Sequence, residues 1–142
     1  MRVYPDTSFL VSLYSPDLHS ARAAAQVARL RGVLLLTPLS ELELINALEL
    51  RIFRKDATTT EVRRARAEFE EHARSGVFEL EAMPTTVYKR ARQISRKQTA
   101  LRGLRTLDIL HVASALLLRA ERFWTFDQLQ FELASAEGLG TT

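Results

Sequence analysis

The chain has 142 residues, of which 46% are hydrophobic and 26% charged, a balance typical of a single soluble domain covering residues 1–142. Its 20 basic and 17 acidic side chains give a formal net charge of +3, which permits a polyanionic partner without requiring one. The lack of cysteine excludes disulfides, thiolate zinc sites and a cysteine nucleophile, and no apolar run reaches the roughly 20 residues of a membrane span, so we expect a cytoplasmic protein with no membrane partner.

Short apolar runs alternate with longer amphipathic stretches, a pattern that predicts strands alternating with helices. The predicted strands cover residues 2–6, 33–36, 77–80 and 123–126. The predicted helices start near residue 8 and then cover residues 19–31, 37–55, 58–75, 85–98, 107–120 and 128–136. Thr58 and Thr106 are predicted N-caps. The alternation predicts an α/β domain with a mainly parallel sheet, in which functional groups collect outside the carboxyl ends of the strands.

Four acidic residues occupy positions that are costly for a carboxylate. Asp6 and Asp127 end predicted strands, Glu43 is flanked by leucines, and Asp108 interrupts an apolar segment. Buried carboxylates need compensation, and carboxylates gathered at one point repel one another and raise each other's pKa. A hard divalent cation removes both penalties, and oxygen ligands without cysteine favour Mg²⁺ or Mn²⁺ over Zn²⁺. We therefore expect a metal site of the kind that supports phosphoryl chemistry.

Each acid also has a simpler explanation. Asp6 is a typical helix N-cap, Glu43 suits a solvated helix flank, and Asp108 suits the first turn of a helix. Asp127 is an ordinary residue for the end of a strand. The joint arrangement of the four, rather than any one position, favours the metal site.

Neighbouring polar residues could assist these acids. Asn46 shares a helix face with Glu43, and Thr125 lies on the same side of its strand as the acid two residues later. His111 follows Asp108 by three residues and could be a ligand, although a lone histidine among apolar residues more often bonds to the backbone or to a carboxylate.

Basic residues could hold a phosphate backbone, although most basic runs are solvated helix faces. Arg102 and Arg105 flank Gly103 just before Asp108, so they are the favoured RNA-contacting candidates. The other candidates are Arg51, Arg54, Lys55, Arg63, Arg64, Arg66, Arg96 and Lys97.

Four segments together carry a family resemblance, namely residues 3–8, 43–48, 106–116 and 125–127. Their order and spacing resemble those of PIN-domain ribonucleases, specifically the small VapC-type toxins of type II toxin–antitoxin pairs. The resemblance covers nearly the whole chain and is most specific around Asp108.

The resemblance implies a three-layer α/β/α sandwich around a central, mainly parallel sheet of four or five strands. It also implies endonucleolytic cleavage of RNA by metal-activated water, a homodimer, and a small antitoxin partner that blocks the site. The implied catalytic residues and ligands of Mg²⁺ or Mn²⁺ are Asp6, Glu43, Asp108 and Asp127. The implied supporting residues are Thr7, Ser8, Asn46 and Thr125.

Two features depart from the family pattern. Pro5 stands where a hydrogen-bonding strand residue is usual, so the first strand must end or meet an edge there. Residues 137–142 lack an apolar closing strand, so a fifth strand is expected to be short or absent.

Two alternative functions remain open. One is a nuclease of the same fold that processes RNA without an antitoxin. The other is a non-enzymatic, receiver-like binding module, which is disfavoured because Asp6 has no acidic neighbour and no lysine follows residue 97.

Overall fold

A computed structural model of the protein describes residues 1–141, which form five strands and seven helices. The strands are β1 (Arg2–Pro5), β2 (Val33–Leu36), β3 (Phe78–Leu80), β4 (Arg122–Trp124) and β5 (Gly140–Thr141). The helices are α1 (Thr7–Tyr14), α2 (Ser20–Arg29), α3 (Pro38–Phe53), α4 (Thr59–Ser75), α5 (Val87–Arg102), α6 (Thr106–Leu117) and α7 (Gln128–Ala136). No helix in this range is long and apolar enough to cross a membrane.

The five strands form one sheet in the order β3-β2-β1-β4-β5, and every pair is parallel. The predicted parallel α/β fold is therefore confirmed. The fifth strand exists but has two residues, and it pairs with β4 through Phe123 and Thr141. Its shortness follows from a C-terminal sequence that offers few apolar side chains to bury.

The sheet is covered on both faces, and the strands at its centre carry apolar side chains toward both. In β2, Leu34 and Leu36 pack into a core with α1, α2, α3 and α4, whereas Leu35 packs with α5, α6 and α7. Strands buried on both faces are typical of parallel sheets covered by helices. The α/β/α layering follows from this alternation.

Pro5 is accommodated at the end of the central strand. Pro5 pairs with Trp124 as the last residue of β1, and the next backbone amide, that of Asp6, donates to the Trp124 carbonyl at 2.9 Å. The ladder is resumed immediately after the proline, so the missing donor does not divide the sheet.

Two helix starts test the predicted capping. Thr58 caps α4 in a capping box, since its hydroxyl accepts from the Glu61 amide at 3.1 Å while the Glu61 carboxylate accepts from the Thr58 amide. The predicted cap at Thr106 is wrong: α6 includes Thr106, and its N-cap, Arg105, has no side-chain capping bond. An arginine side chain has no acceptor for a helix amide, and that of Arg105 donates to Asp108.

The centre of the sheet should dominate stability. Leu35 is fully buried, so Leu35→Ala should lower the free energy of unfolding by about 2–5 kcal/mol through lost burial and an unfilled cavity. Urea denaturation followed by circular dichroism measures this loss. Leu42→Ala is the matched control, because Leu42 is 66% exposed and its truncation should change stability by less than about 0.5 kcal/mol. Equal losses in the two variants would contradict the assignment of the core.

Candidate active site

A cavity of about 430 Å³ opens at the carboxyl edge of the sheet. The chain leaves β1 for β2 on one side and later returns to β4 on the other, so the ends of β1 and β4 form a topological switch point. Open parallel sheets bind ligands at such points. The acidic residues that line the cavity are Asp6, Glu43, Asp108 and Asp127. The other lining residues are Thr7, Ser8, Arg105, Thr106, Leu107, His111 and Gln130.

Asp6 lies between β1 and α1 and is 97% buried, its exposed fraction being 3%. Its Oδ1 accepts from the Phe9 amide at 3.0 Å and from the Ser8 hydroxyl at 2.7 Å, and its Oδ2 accepts from the Thr125 hydroxyl at 2.6 Å. Burial raises the pKa of Asp6, and the three hydrogen bonds and the His111 charge oppose that rise without cancelling it. Asp6 is therefore both a helix cap and a desolvated carboxylate at the floor of the cavity.

Ser8 and Thr125 tie the end of β1 to the end of β4. The Ser8 hydroxyl accepts from the Phe126 amide at 2.9 Å and lies 3.2 Å from the Thr125 hydroxyl. The Thr125 hydroxyl also accepts from the Asp127 amide at 3.0 Å. These bonds fix the orientation of Asp6, although Thr125 itself does not line the cavity.

Glu43 enters the cavity from α3 and is held by two donors. The Thr7 hydroxyl donates to its Oε2 at 2.5 Å, and His111 Nε2 donates to the same oxygen. Burial favours the neutral acid, but the bonds from His111 and Thr7 and the positive charges of His111 and Arg105 outweigh it and lower the pKa of Glu43. Glu43 is thus ionised at neutral pH.

His111 is buried in α6 beneath the cavity, 1% exposed. Its Nδ1 lies 2.9 Å from the Tyr4 hydroxyl, which also contacts the hydroxyls of Ser40 and Thr37. Burial opposes the charged ring, but the interactions with Tyr4 and Glu43 exceed that cost and raise the pKa of His111 to about 10. His111 is therefore a cationic support for Glu43.

The remaining two acids occupy helix starts. Asp108 lies in the first turn of α6, and its Oδ2 accepts from Arg105 Nε at 2.9 Å. Asp127 caps α7, and its Oδ1 accepts from the Gln130 amide at 3.0 Å. The first-turn explanation holds for Asp108, whereas Asp127 is a helix cap three residues beyond the end of β4 rather than the end of a strand, and both residues line one cavity.

Two predicted residues lie elsewhere. Asn46 is exposed on α3 and does not line the cavity. Arg102 is also outside it, because its Nε donates to Gln98 at 3.0 Å and its guanidinium lies 3.7 Å from Glu132. Arg105 is the member of the predicted arginine pair that reaches the acids.

Two site residues were not identified from the sequence. Tyr4 lies in the predicted first strand, and the structure shows that its hydroxyl contacts His111. Gln130 lines the cavity from the first turn of α7. The three-residue spacing from Asp108 to His111 was the available signal for the imidazole, and the structure gives that ring a carboxylate partner.

The donor set of the cavity fits a hard divalent cation, since carboxylate and hydroxyl oxygens predominate and sulfur is absent. Within residues 1–141, no three acidic or histidine side chains are close enough to share one ion. Glu43 and Asp108 are instead paired with His111 and Arg105. A cation would have to draw the carboxylates inward.

The sequence profile of the PIN domain matches residues 3–135. Among solved structures, Mycobacterium tuberculosis VapC20, described as a sarcin-ricin loop cleaving toxin, superposes with a TM-score of 0.73 at 19% identity, covering 96% of this chain and 95% of that one. FitAcB from Neisseria gonorrhoeae gives 0.69 at 17% identity, with 98% and 95% covered. VapBC2 from Rickettsia felis, bound to a DNA fragment from their promoter, gives 0.66 at 13%, with 100% and 98% covered. No curated protein sequence matches the chain.

The Glu43–His111 pair should make stability depend on pH. The lowered pKa of Glu43 contributes stability above its unfolded value of 4.5, and this is lost as the pH falls through the folded pKa. The raised pKa of His111 contributes stability that is complete below 6.5 and is lost as the pH rises toward about 10. The free energy of unfolding lost in Glu43→Gln should therefore be larger near pH 6 than near pH 9.

Chemical denaturation in the presence of EDTA measures this difference. Glu41→Gln, on the same helix and outside the cavity, is the control. Its effect on the free energy of unfolding should be the same near pH 6 and near pH 9. If Glu43→Gln lowers the free energy of unfolding equally near pH 6 and near pH 9, the Glu43–His111 pair does not titrate as described.

Proposed function

This chain belongs to the PIN domain family, and on that premise we propose that it is an endoribonuclease that requires Mg²⁺ or Mn²⁺. The supporting observation is that carboxylates from four separate segments line one cavity at the switch point of the sheet. The fold alone would not support the proposal, because one fold hosts many functions. A single acid would not support it either, because each has a simpler explanation.

The proposed ligands of the cation are Asp6, Glu43, Asp108 and Asp127. When bound, a divalent cation lowers the pKa of water and stabilises negative charge on the scissile phosphate. Ser8 and Thr125 hold Asp6 in one orientation, which reduces the reorganisation needed for binding.

Glu43 is the proposed acceptor of the proton of the attacking water. Both of its donors, Thr7 and His111, bind Oε2, so Oε1 has no hydrogen-bond partner among the described residues, and Glu43 lines the cavity. A carboxylate that is already ionised at neutral pH can take this proton.

Arg105 is the proposed contact with the RNA phosphate at the rim. Its side chain is 75% exposed while that of Asp108 is 16% exposed, so the guanidinium can exchange the carboxylate for a phosphate. Released from Arg105, Asp108 becomes free for the cation.

The proposed biological role is the toxin of a type II toxin–antitoxin pair, acting as a homodimer that a small antitoxin blocks. The likeness to VapC20 and to VapBC2 along nearly the full chain supports this role. The alternative is an RNA-processing nuclease of the same family without an antitoxin, and we expect a cytoplasmic location for either.

Asp6→Asn and Asp108→Asn should each lower the rate of RNA cleavage by about 100-fold or more, because each removes a proposed ligand of the cation that would stabilise negative charge in the transition state. Asparagine is an equally good N-cap at position 6, and position 108 is not a cap, so the fold should survive in both variants. Purified protein is incubated with total RNA, with and without Mn²⁺, and the new ends are mapped. Asp56→Asn is the control, since Asp56 is exposed and remote from the cavity.

Calorimetric titration with Mn²⁺ tests the cation site separately from cleavage. Wild-type protein and Asp56→Asn should bind Mn²⁺, and Asp108→Asn should bind it at least about 10-fold more weakly. Full Mn²⁺-dependent cleavage by both site variants would refute the proposal. A wild-type protein that binds neither Mn²⁺ nor Mg²⁺ would instead favour the receiver-like module.

The toxin role makes a prediction in cells. Induced expression of the wild-type chain should arrest bacterial growth, expression of Asp6→Asn should not, and co-expression of a small neighbouring reading frame should restore growth. Colony counts after induction measure the effect. Unimpaired growth with active nuclease present would favour the RNA-processing alternative.

A further inference from the structure

Two further cavities continue from the acidic one along the surface. The second is lined by residues that include His19, Arg22, Phe126 and Asp127, and it shares Asp127 with the acidic cavity. The third, about 590 Å³, lies between α2 and β4 and shares Arg22 with the second. Because neighbouring cavities share residues, the three form one continuous strip. We call the second and third cavities together the α2–β4 groove.

The first part of the α2–β4 groove is aromatic. His19 stacks on Phe126 with ring centroids 4.4 Å apart and planes 11° apart, and Phe126 stacks in turn on Phe9 at 5.3 Å. The guanidinium carbon of Arg22 lies 5.7 Å from the Phe126 centroid. His19 is exposed, so the outer face of this stack is open to a nucleobase.

The second part of the groove is strongly basic. Four arginines line the third cavity, and none forms an ion pair with an acid of residues 1–141: Arg22, Arg29, Arg31 and Arg122. This set contrasts with Arg2, Arg66, Arg74 and Arg105, each of which has an acidic partner. Unpaired cations gathered in a concave site produce a positive potential that attracts an anion.

An aromatic platform followed by unpaired arginines is the arrangement that binds single-stranded nucleic acid, because bases stack on rings and guanidinium groups hold the phosphates. We propose that the α2–β4 groove is the path of the single-stranded RNA that leaves the acidic cavity past Asp127. This proposal rests on the proposed nuclease function for the identity of the strand. It places the strand on the α2 side rather than near Arg102.

The binding experiment uses the full-length chain, EDTA and a fluorescein-labelled single-stranded oligoadenylate of about 12 nucleotides, a length within the usual site sizes for such grooves. Arg29→Gln combined with Arg31→Gln should weaken binding by about 10-fold and lower the salt slope by about 1.4, since each lost phosphate contact removes about 0.7. The matched control is Lys89→Gln combined with Arg92→Gln, exposed basic residues of α5 outside the groove, which should change affinity by less than about 2-fold.

Two further readouts locate the strand within the groove. His19→Ala should weaken binding by about 5-fold or more, the usual effect of losing one base stack. Trp124 is the single tryptophan of the chain and lines the third cavity, so its emission should change when the oligonucleotide binds and should change less in the Arg29 and Arg31 double variant.

Because EDTA prevents cleavage, failure of the groove and failure of the nuclease are separable. If binding depends on the groove but no divalent metal supports cleavage, the proposed nuclease function is refuted and the groove proposal stands. Equal weakening by the two double variants, unchanged Trp124 emission, or equal affinity for duplex RNA or for an oligoglutamate peptide would each overturn the groove as a single-strand path.

Discussion

The hydrogen bonds that join Asp6 to the end of β4 are the constraint on which the site depends. A carboxylate as buried as Asp6 is costly, and the Thr125 hydroxyl, together with Ser8 and the Phe9 amide, lowers that cost. Thr125 is available only because β1 and β4 are adjacent parallel strands that end at the same level. The topology of the sheet thus decides both where the acid lies and what makes its burial tolerable.

Each carboxylate of the cavity is compensated differently, and this asymmetry gives the site its chemistry. Asp6 depends on neutral donors and its pKa is raised, whereas Glu43 has the cationic His111 and its pKa is lowered. Asp108 is paired with the exposed Arg105. The site therefore holds its negative charge without a cation, and under the proposed function binding of a cation would require the carboxylates to move inward.

The arginines of the chain differ in their surroundings. Arg2, the first residue of β1, forms ion pairs with Glu79 and Glu81, and its Nη2 lies 2.8 Å from Glu81. These ion pairs join β1 to β3 and the residue after it. The arginines between α2 and β4 have no such partners among the described residues. An abundance of arginine in a composition therefore carries little meaning until the surroundings of each arginine are known, and the arginines between α2 and β4 are distinguished by being unpaired and by lining one cavity together.

The sequence by itself determined the parallel α/β fold, most of the helix and strand order, and the four acids as one set, because hydrophobic periodicity and strand-ending residues are local properties. It missed the start of α6, which includes Thr106 and follows Arg105, a residue whose side chain has no acceptor for the helix amides. Only the tertiary structure decided that Tyr4 holds His111, that Asn46 and Arg102 lie outside the cavity, and that residues of α2 and β4 form one groove. Each of these contacts joins residues that are far apart along the chain. Local sequence patterns do not predict such contacts, because they depend on which strands become neighbours in the sheet.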